Sequence, residues 1–188
     1  TLLSLLISGH SQAVSAGELK MLNKPEPALR LCSCHRLQPD RCPFWSAVQD
    51  LVRQDLGLSL DQLFLQEEGD DVSFLQHNRA LFSAIAAVSG CSVIVDSSKS
   101  LPRLSRLLAV SANDQDPGFE LLPIHLHRGP FGSMSSARRK GDVLRKAAYN
   151  YTRLFFVTRE RLRGVQALRV YYERLAADPR SELARVMA

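Results

Sequence analysis

The sequence predicts an α/β protein, a parallel sheet covered on both faces by helices, and three observations carry that reading. Short apolar or β-branched runs at Cys91–Asp96, Leu121–Leu126 and Ala167–Tyr171 read as buried strands. Stretches with apolar residues at helical spacing separate them, long enough for the crossovers that parallel strands require. Polar residues gather directly after each run, at the carboxyl ends of the strands, which is where open α/β sheets bind ligands.

Taken in order, Leu2, Leu3, Leu5, Leu6 and Ile7 followed by Gly9 predict a short buried helix with a glycine stop. Residues 23–43 hold Pro25, Pro27, Pro39 and Pro43 with three of the four cysteines, and read as a loop. Phe44, Trp45, Val48, Leu51, Val52 and Leu56 predict a helix over 44–56, and a second covers 74–88. The strand ending at Asp96 precedes a helix over 102–110. The strand ending at Leu126 precedes a helical region over 133–163, in one piece or in two around Gly141. A strand over 167–171 leads into a last helix.

The chain has 188 residues, 45% hydrophobic and 23% charged, which suits a globular domain and excludes a disordered one. A net charge of +5 favours an anionic partner, and so small a surplus fits a phosphorylated nucleotide as well as a polynucleotide. Cys32, Cys34 and Cys42 offer three thiolates, but a closed zinc site needs a fourth ligand and His35 is too near in sequence, so a structural or solvent-facing loop is expected ahead of a metal site. No apolar run approaches the roughly 20 residues needed to cross a bilayer. The opening Thr1–Ile7 lacks the basic flank of a signal peptide.

The strand ends carry Asp96-Ser97-Ser98-Lys99-Ser100, His127-Arg128-Gly129-Pro130 and Tyr172-Glu173-Arg174. Hydroxyls, a lysine and an arginine on one edge suit a phosphate or sulfate, since arginine grips an oxyanion at two points and lysine acts as a point charge. Any one such tip is ordinary loop polarity, whereas three together point to an oxyanion. Arg128 and Ser136, eight residues apart, could hold one phosphate between a strand end and a helix start. The alternative for the serines there is helix capping. His125 and His127 alternate on the second strand and read as packed residues, and Tyr172 and Glu173 as braces of the strand tip.

At this level of detail the chain resembles sulfotransferases that use 3'-phosphoadenosine 5'-phosphosulfate, in their bacterial and tyrosylprotein branches. Arg128 through Ser136 is similar to the 3'-phosphate motif, with Gly129 where an acidic residue often follows the arginine. Val95 through Ser100 resembles the motif whose lysine approaches the transferred sulfate. Ala167 through Pro179 resembles an R-x-x-Y-E-x-L-x-x-D-P block, and Cys32-Ser33-Cys34 with Cys42 through Trp45 an insert of bacterial members. Thr1-Leu2-Leu3 is similar to the tail of the 5'-phosphosulfate loop, His10 to a family histidine and Gly17-Glu18 to a Gly-Glu pair.

The resemblance implies a P-loop-NTPase-like sheet and a single sulfotransferase domain over 1–188. That domain would be partial: without the first strand, without the start of the 5'-phosphosulfate loop, and without a C-terminal part. It implies transfer of a sulfuryl group from the nucleotide donor to a hydroxyl or amine of a small molecule, glycan or peptide, with no metal and no nucleic acid. Glu18 would be the base, partial desolvation raising its pKa, and Lys99 would neutralise the leaving oxygen. Ser97 and Ser98 would orient the sulfate, Arg128 and Ser136 bind the 3'-phosphate, and Thr1 the 5'-phosphosulfate. Glu18 read from the residues alone is equally a surface carboxylate at a helix start. The insert favours a bacterial cytoplasm, and a eukaryotic origin the secretory lumen.

Two other functions fit parts of the sequence. A P-loop kinase-like phosphotransferase needs a G-x-x-x-x-G-K-[ST] loop, which is not visible, and a magnesium-binding acid, which Asp96 could mimic. A nucleic-acid binder would use Arg138, Arg139, Lys140, Arg145 and Lys146, extended by Arg159, Arg161 and Arg163, but no recognition motif accompanies them.

Overall fold

In a computed structural model, residues 2–24 and 42–187 are described. Thr1, Cys32, Cys34 and most of the proline-rich stretch lie outside them. The protein is mixed α/β, with eight α-helices and four short strands among the described residues. It divides into two compact units, Thr1–Glu120 and Leu121–Ala188.

The first unit begins with α1 (Leu2–Ile7) and β1 (Ala13–Gly17), the latter absent from the sequence prediction. Ala-Val-Ser-Ala-Gly has one β-branched residue, so its strand character comes from its partner. It pairs in parallel with β2 (Val93–Asp96), and Ala13 and Ala16 are buried by that packing. Between them run α2 (Pro43–Leu56) and α3 (Asp71–Ser89). Proline in the first turn of α2 and Gly57 in left-handed conformation after its end set the two boundaries. Asp70 caps α3 by accepting from the Ser73 N–H at 2.9 Å. Trp45, Val48 and Val52 of α2 meet Leu81, Ala84 and Ile85 of α3 in the core, with Leu60, Leu63 and Leu65 from the connection. The unit's last helix, α4 (Leu101–Asn113), follows β2.

The second unit holds β3 (Ile124–His127), α5 (Pro130–Arg139), α6 (Leu144–Arg161), β4 (Leu168–Tyr171), α7 (Tyr172–Ala177) and α8 (Pro179–Met187). β3 pairs in parallel with β4, Ile124 opposite Leu168 and His127 opposite Tyr171. The predicted start at Leu121 is three residues early, and Pro123, which lacks an N–H, stands just before the strand. The helical region breaks at Gly141, whose φ of +82° suits glycine. Val170 and Leu175 are the buried apolar side chains of this unit among the described residues.

The expectation of parallel strands joined by helices therefore holds. The four strands form two two-stranded sheets, one in each unit, where a single sheet was expected.

Candidate functional site

In the first unit, parallel pairing puts the carboxyl ends of β1 and β2 side by side. Ser97 donates its N–H and its hydroxyl to the Gly17 carbonyl, at 2.7 and 3.0 Å. Glu18 and Lys99 leave this edge together, and their side chains form an ion pair at 2.8 Å. Lys20 stands 3.6 Å from the other carboxylate oxygen. Glu18, Ser97, Ser98 and Lys99, expected at the site, are thus brought together by one strand pair.

The electrostatics of Glu18 correct the sequence reading. Partial burial does push its carboxyl upward, as expected, but the Lys99 hydrogen bond and charge and the Lys20 charge outweigh it, so the pKa lies below the ordinary value. Ion pairing across 81 positions has no local signature.

Beneath the pair lies a junction that the sequence did not reveal. One Asp96 oxygen accepts from the N–H of Ser98 at 2.9 Å, from the Ser98 hydroxyl and from the Leu19 N–H at 3.3 Å. The other accepts from Arg103 Nε at 3.0 Å. Arg103 is 1% exposed, and its Nη1 donates to the Leu65 carbonyl. Ser98, also buried, accepts from the Lys20 N–H at 3.1 Å. Asp96 therefore locks the backbone just after Glu18 and just before Lys99. The available signal was spacing: Arg103, Leu107 and Val110 fall on one buried stripe of α4. With both oxygens engaged, Asp96 serves as a structural anchor.

The second unit supplies Arg128 at the end of β3 and Ser136, half-buried, in the second turn of α5. The Arg128 guanidinium lies 4.5 Å from the centroid of the Tyr172 ring. Its Nε is buried and without a hydrogen-bond partner. Tyr151 donates its hydroxyl to the Arg128 carbonyl at 3.1 Å, and Glu173 accepts from the Gly129 N–H at 2.8 Å. That hydrogen bond, aided by the charges of His127 and Arg128, lowers the Glu173 pKa. A Cβ at Gly132 would stand 2.9 Å from Arg128 Nε, so the missing side chain leaves room beside the guanidinium. An orphaned buried donor on a stacked arginine, at a glycine-lined helix start, fits a nucleotide phosphate.

Other expectations are placed as follows. His10 is exposed and accepts from the Gln12 N–H, 3.2 Å away, in the turn before β1. His125 and His127 are packed strand residues, His127 against Phe155 and Tyr171, and burial holds the His125 imidazole below its usual pKa. Thr1 as a 5'-phosphosulfate contact falls outside the described residues. Within them, no group of three or more His, Cys, Asp or Glu side chains is arranged for a metal, and no helix is long and apolar enough to cross a membrane.

Comparison with protein-family models, curated proteins and solved structures returns no match.

Proposed function

We propose that the protein is a sulfotransferase that moves a sulfuryl group from 3'-phosphoadenosine 5'-phosphosulfate to a hydroxyl or amine acceptor. The observation that carries this reading is the Glu18–Lys99 pair, a carboxylate and an ammonium 2.8 Å apart at the carboxyl edge of adjoining parallel strands. Sulfuryl transfer needs a base for the acceptor, a cation at the leaving oxygen and a firm hold on the nucleotide.

The donor supplies the sulfuryl group and the phosphate oxygen that departs. Lys99 neutralises charge on that oxygen, while Ser97 and Ser98, expected to orient the sulfate, give their N–H and hydroxyl groups to Gly17 and Asp96 and so hold the loop that presents Lys99. Within the second unit, Arg128 with Ser136 and the helix start offers a hold for a nucleotide phosphate such as the 3'-phosphate. Glu18 takes the acceptor's proton. Its lowered pKa makes it a weak base while Lys99 is its partner. Turning Lys99 toward the leaving oxygen removes the neighbour that holds the proton off, and Glu18 becomes more basic when the donor is in place.

A phosphotransferase fits less well. The acid that would hold magnesium is Asp96, and both its oxygens are engaged by Arg103, Ser98 and Leu19.

Calorimetric titration with adenosine 3',5'-bisphosphate tests the reading. Binding is expected, and Arg128→Ala weakens it about tenfold to a hundredfold through loss of charge-assisted hydrogen bonds. No binding, or magnesium-dependent phosphate incorporation from ATP into an acceptor, overturns it.

A further inference from the structure

We propose that the turn joining α5 to α6 docks the protein on an anionic lipid surface. From Arg138 to Lys146 every residue is exposed. Arg138, Arg139, Lys140, Arg145 and Lys146 carry five positive charges there against the one negative charge of Asp142. None of the five takes part in a salt bridge among the described residues. Between them Val143 and Leu144 stand in water, 68% and 46% exposed.

The turn is built rather than frayed. Gly141 in left-handed conformation donates to the Arg138 carbonyl and Asp142 to the Ala137 carbonyl, each at 3.0 Å, the hydrogen-bond pair that closes a helix with a Schellman motif. On the far side Ala147 donates to the Val143 carbonyl, so α6 begins at once. The two aliphatic side chains are thereby held at the apex, with basic side chains on both flanks.

Charge is distributed unevenly along the chain. Residues 1–120 have ten Lys or Arg against fourteen Asp or Glu, a net −4, while residues 121–188 have fourteen against five, a net +9. The attraction to an anion belongs to the second unit, and the turn holds a large share of it. A polynucleotide would use the charges but leave Val143 and Leu144 in water, and the turn offers no aromatic face for bases. A lipid surface uses both: headgroups attract the basic flanks, and the aliphatic apex enters the boundary with the acyl chains. The proposal stands independently of the sulfuryl reading.

Cosedimentation with phosphatidylcholine vesicles, with and without phosphatidylserine, tests it. Binding is expected only to the vesicles with phosphatidylserine, and it fades as salt shortens the Debye length toward about 3 Å. Lys140→Glu with Lys146→Glu is expected to lower partitioning about tenfold or more, and Val143→Ser with Leu144→Ser by a similar factor. All four side chains are exposed, so circular dichroism stays unchanged in both variants. Failure to sediment with phosphatidylserine vesicles overturns the proposal, whether or not an oligonucleotide or acidic polypeptide binds instead. Sedimentation unaffected by Val143→Ser with Leu144→Ser overturns it as well.

Discussion

Lys99 has a φ of 53°, in the left-handed region where a side chain costs roughly 1–2 kcal/mol. Its neighbours impose that conformation. Ser97 is bound to Gly17, and Ser98 to Asp96 and Lys20, so the backbone on the amino side of Lys99 is fixed and its ammonium is carried toward Glu18. Asparagine tolerates the left-handed region, so Lys99→Asn is expected to keep stability within about 0.5 kcal/mol in urea unfolding. The same change returns the Glu18 pKa toward its ordinary carboxylate value, visible by NMR titration, and abolishes sulfuryl transfer. An unchanged Glu18 titration would refute the pairing. Gly132 makes a complementary case. Alanine ordinarily stabilises a helix by roughly 0.5–1 kcal/mol over glycine, but its Cβ here crowds Arg128 Nε. Gly132→Ala is expected to leave the melting temperature equal or higher while weakening adenosine bisphosphate binding, and unaltered binding would show that Arg128 is not the phosphate ligand.

At the scale of elements, α3 is tied to the connection before it through buried polar groups. His77 accepts from the Phe64 N–H at Nδ1, 2.9 Å away, and Asn78 donates to the Phe64 carbonyl at 3.3 Å. Burial lowers the His77 pKa below 6.5 against a smaller upward pull from Asp70. The unfolded chain therefore takes the proton more readily, and stability present above about pH 6.5 is lost as the pH falls through the folded value. Urea midpoints are expected to drop between pH 7 and pH 5, and His77→Gln to flatten that slope; equal slopes would place the acid sensitivity elsewhere. The same elements show how far the sequence reached. β2 was legible because Val93, Ile94 and Val95 form a β-branched run, β4 because Leu168, Val170 and Tyr171 bring bulky apolar and aromatic side chains to a short segment, and the break at Gly141 because glycine is what a left-handed helix end requires. β1 was not, since alanine and serine pair there for want of bulk rather than by preference. The site divides in the same way. Lys99 and Arg128 stand at strand ends where polar residues are conspicuous, whereas the Asp96–Arg103 lock and the Arg128–Tyr172 stack join residues through space.

At the scale of the whole molecule, the two units are unequally built. Residues 2–24 and 42–120 contain most of the buried apolar side chains, with α2 and α3 meeting over Val48, Val52, Leu81 and Ile85. In residues 121–187 the fully buried apolar side chains are Val170 and Leu175, while Leu154, Phe155, Phe156 and Val157 of α6 are exposed. Burial is what lifts the free energy of local opening toward the global value, so amides of α3 exchange slowly and those of α6 fast. Charge adds to the difference, because a net +9 in the second unit opposes its own compactness and a net −4 in the first does so less. Hydrogen exchange read by mass spectrometry over peptides 71–89 and 144–161 is expected to show α6 exchanging about a hundredfold or more faster, a gap of about 3 kcal/mol in opening. Added salt screens the like charges and should slow α6 while leaving α3 nearly unchanged. Adenosine 3',5'-bisphosphate should act on the same side of the comparison, because Tyr151 of α6 donates to the Arg128 carbonyl and a ligand that binds only the folded unit stabilises it by mass action. Equal protection in the two peptides, or a salt response shared by both, would mean that the units open together and that the second draws stability from contacts other than its own buried side chains.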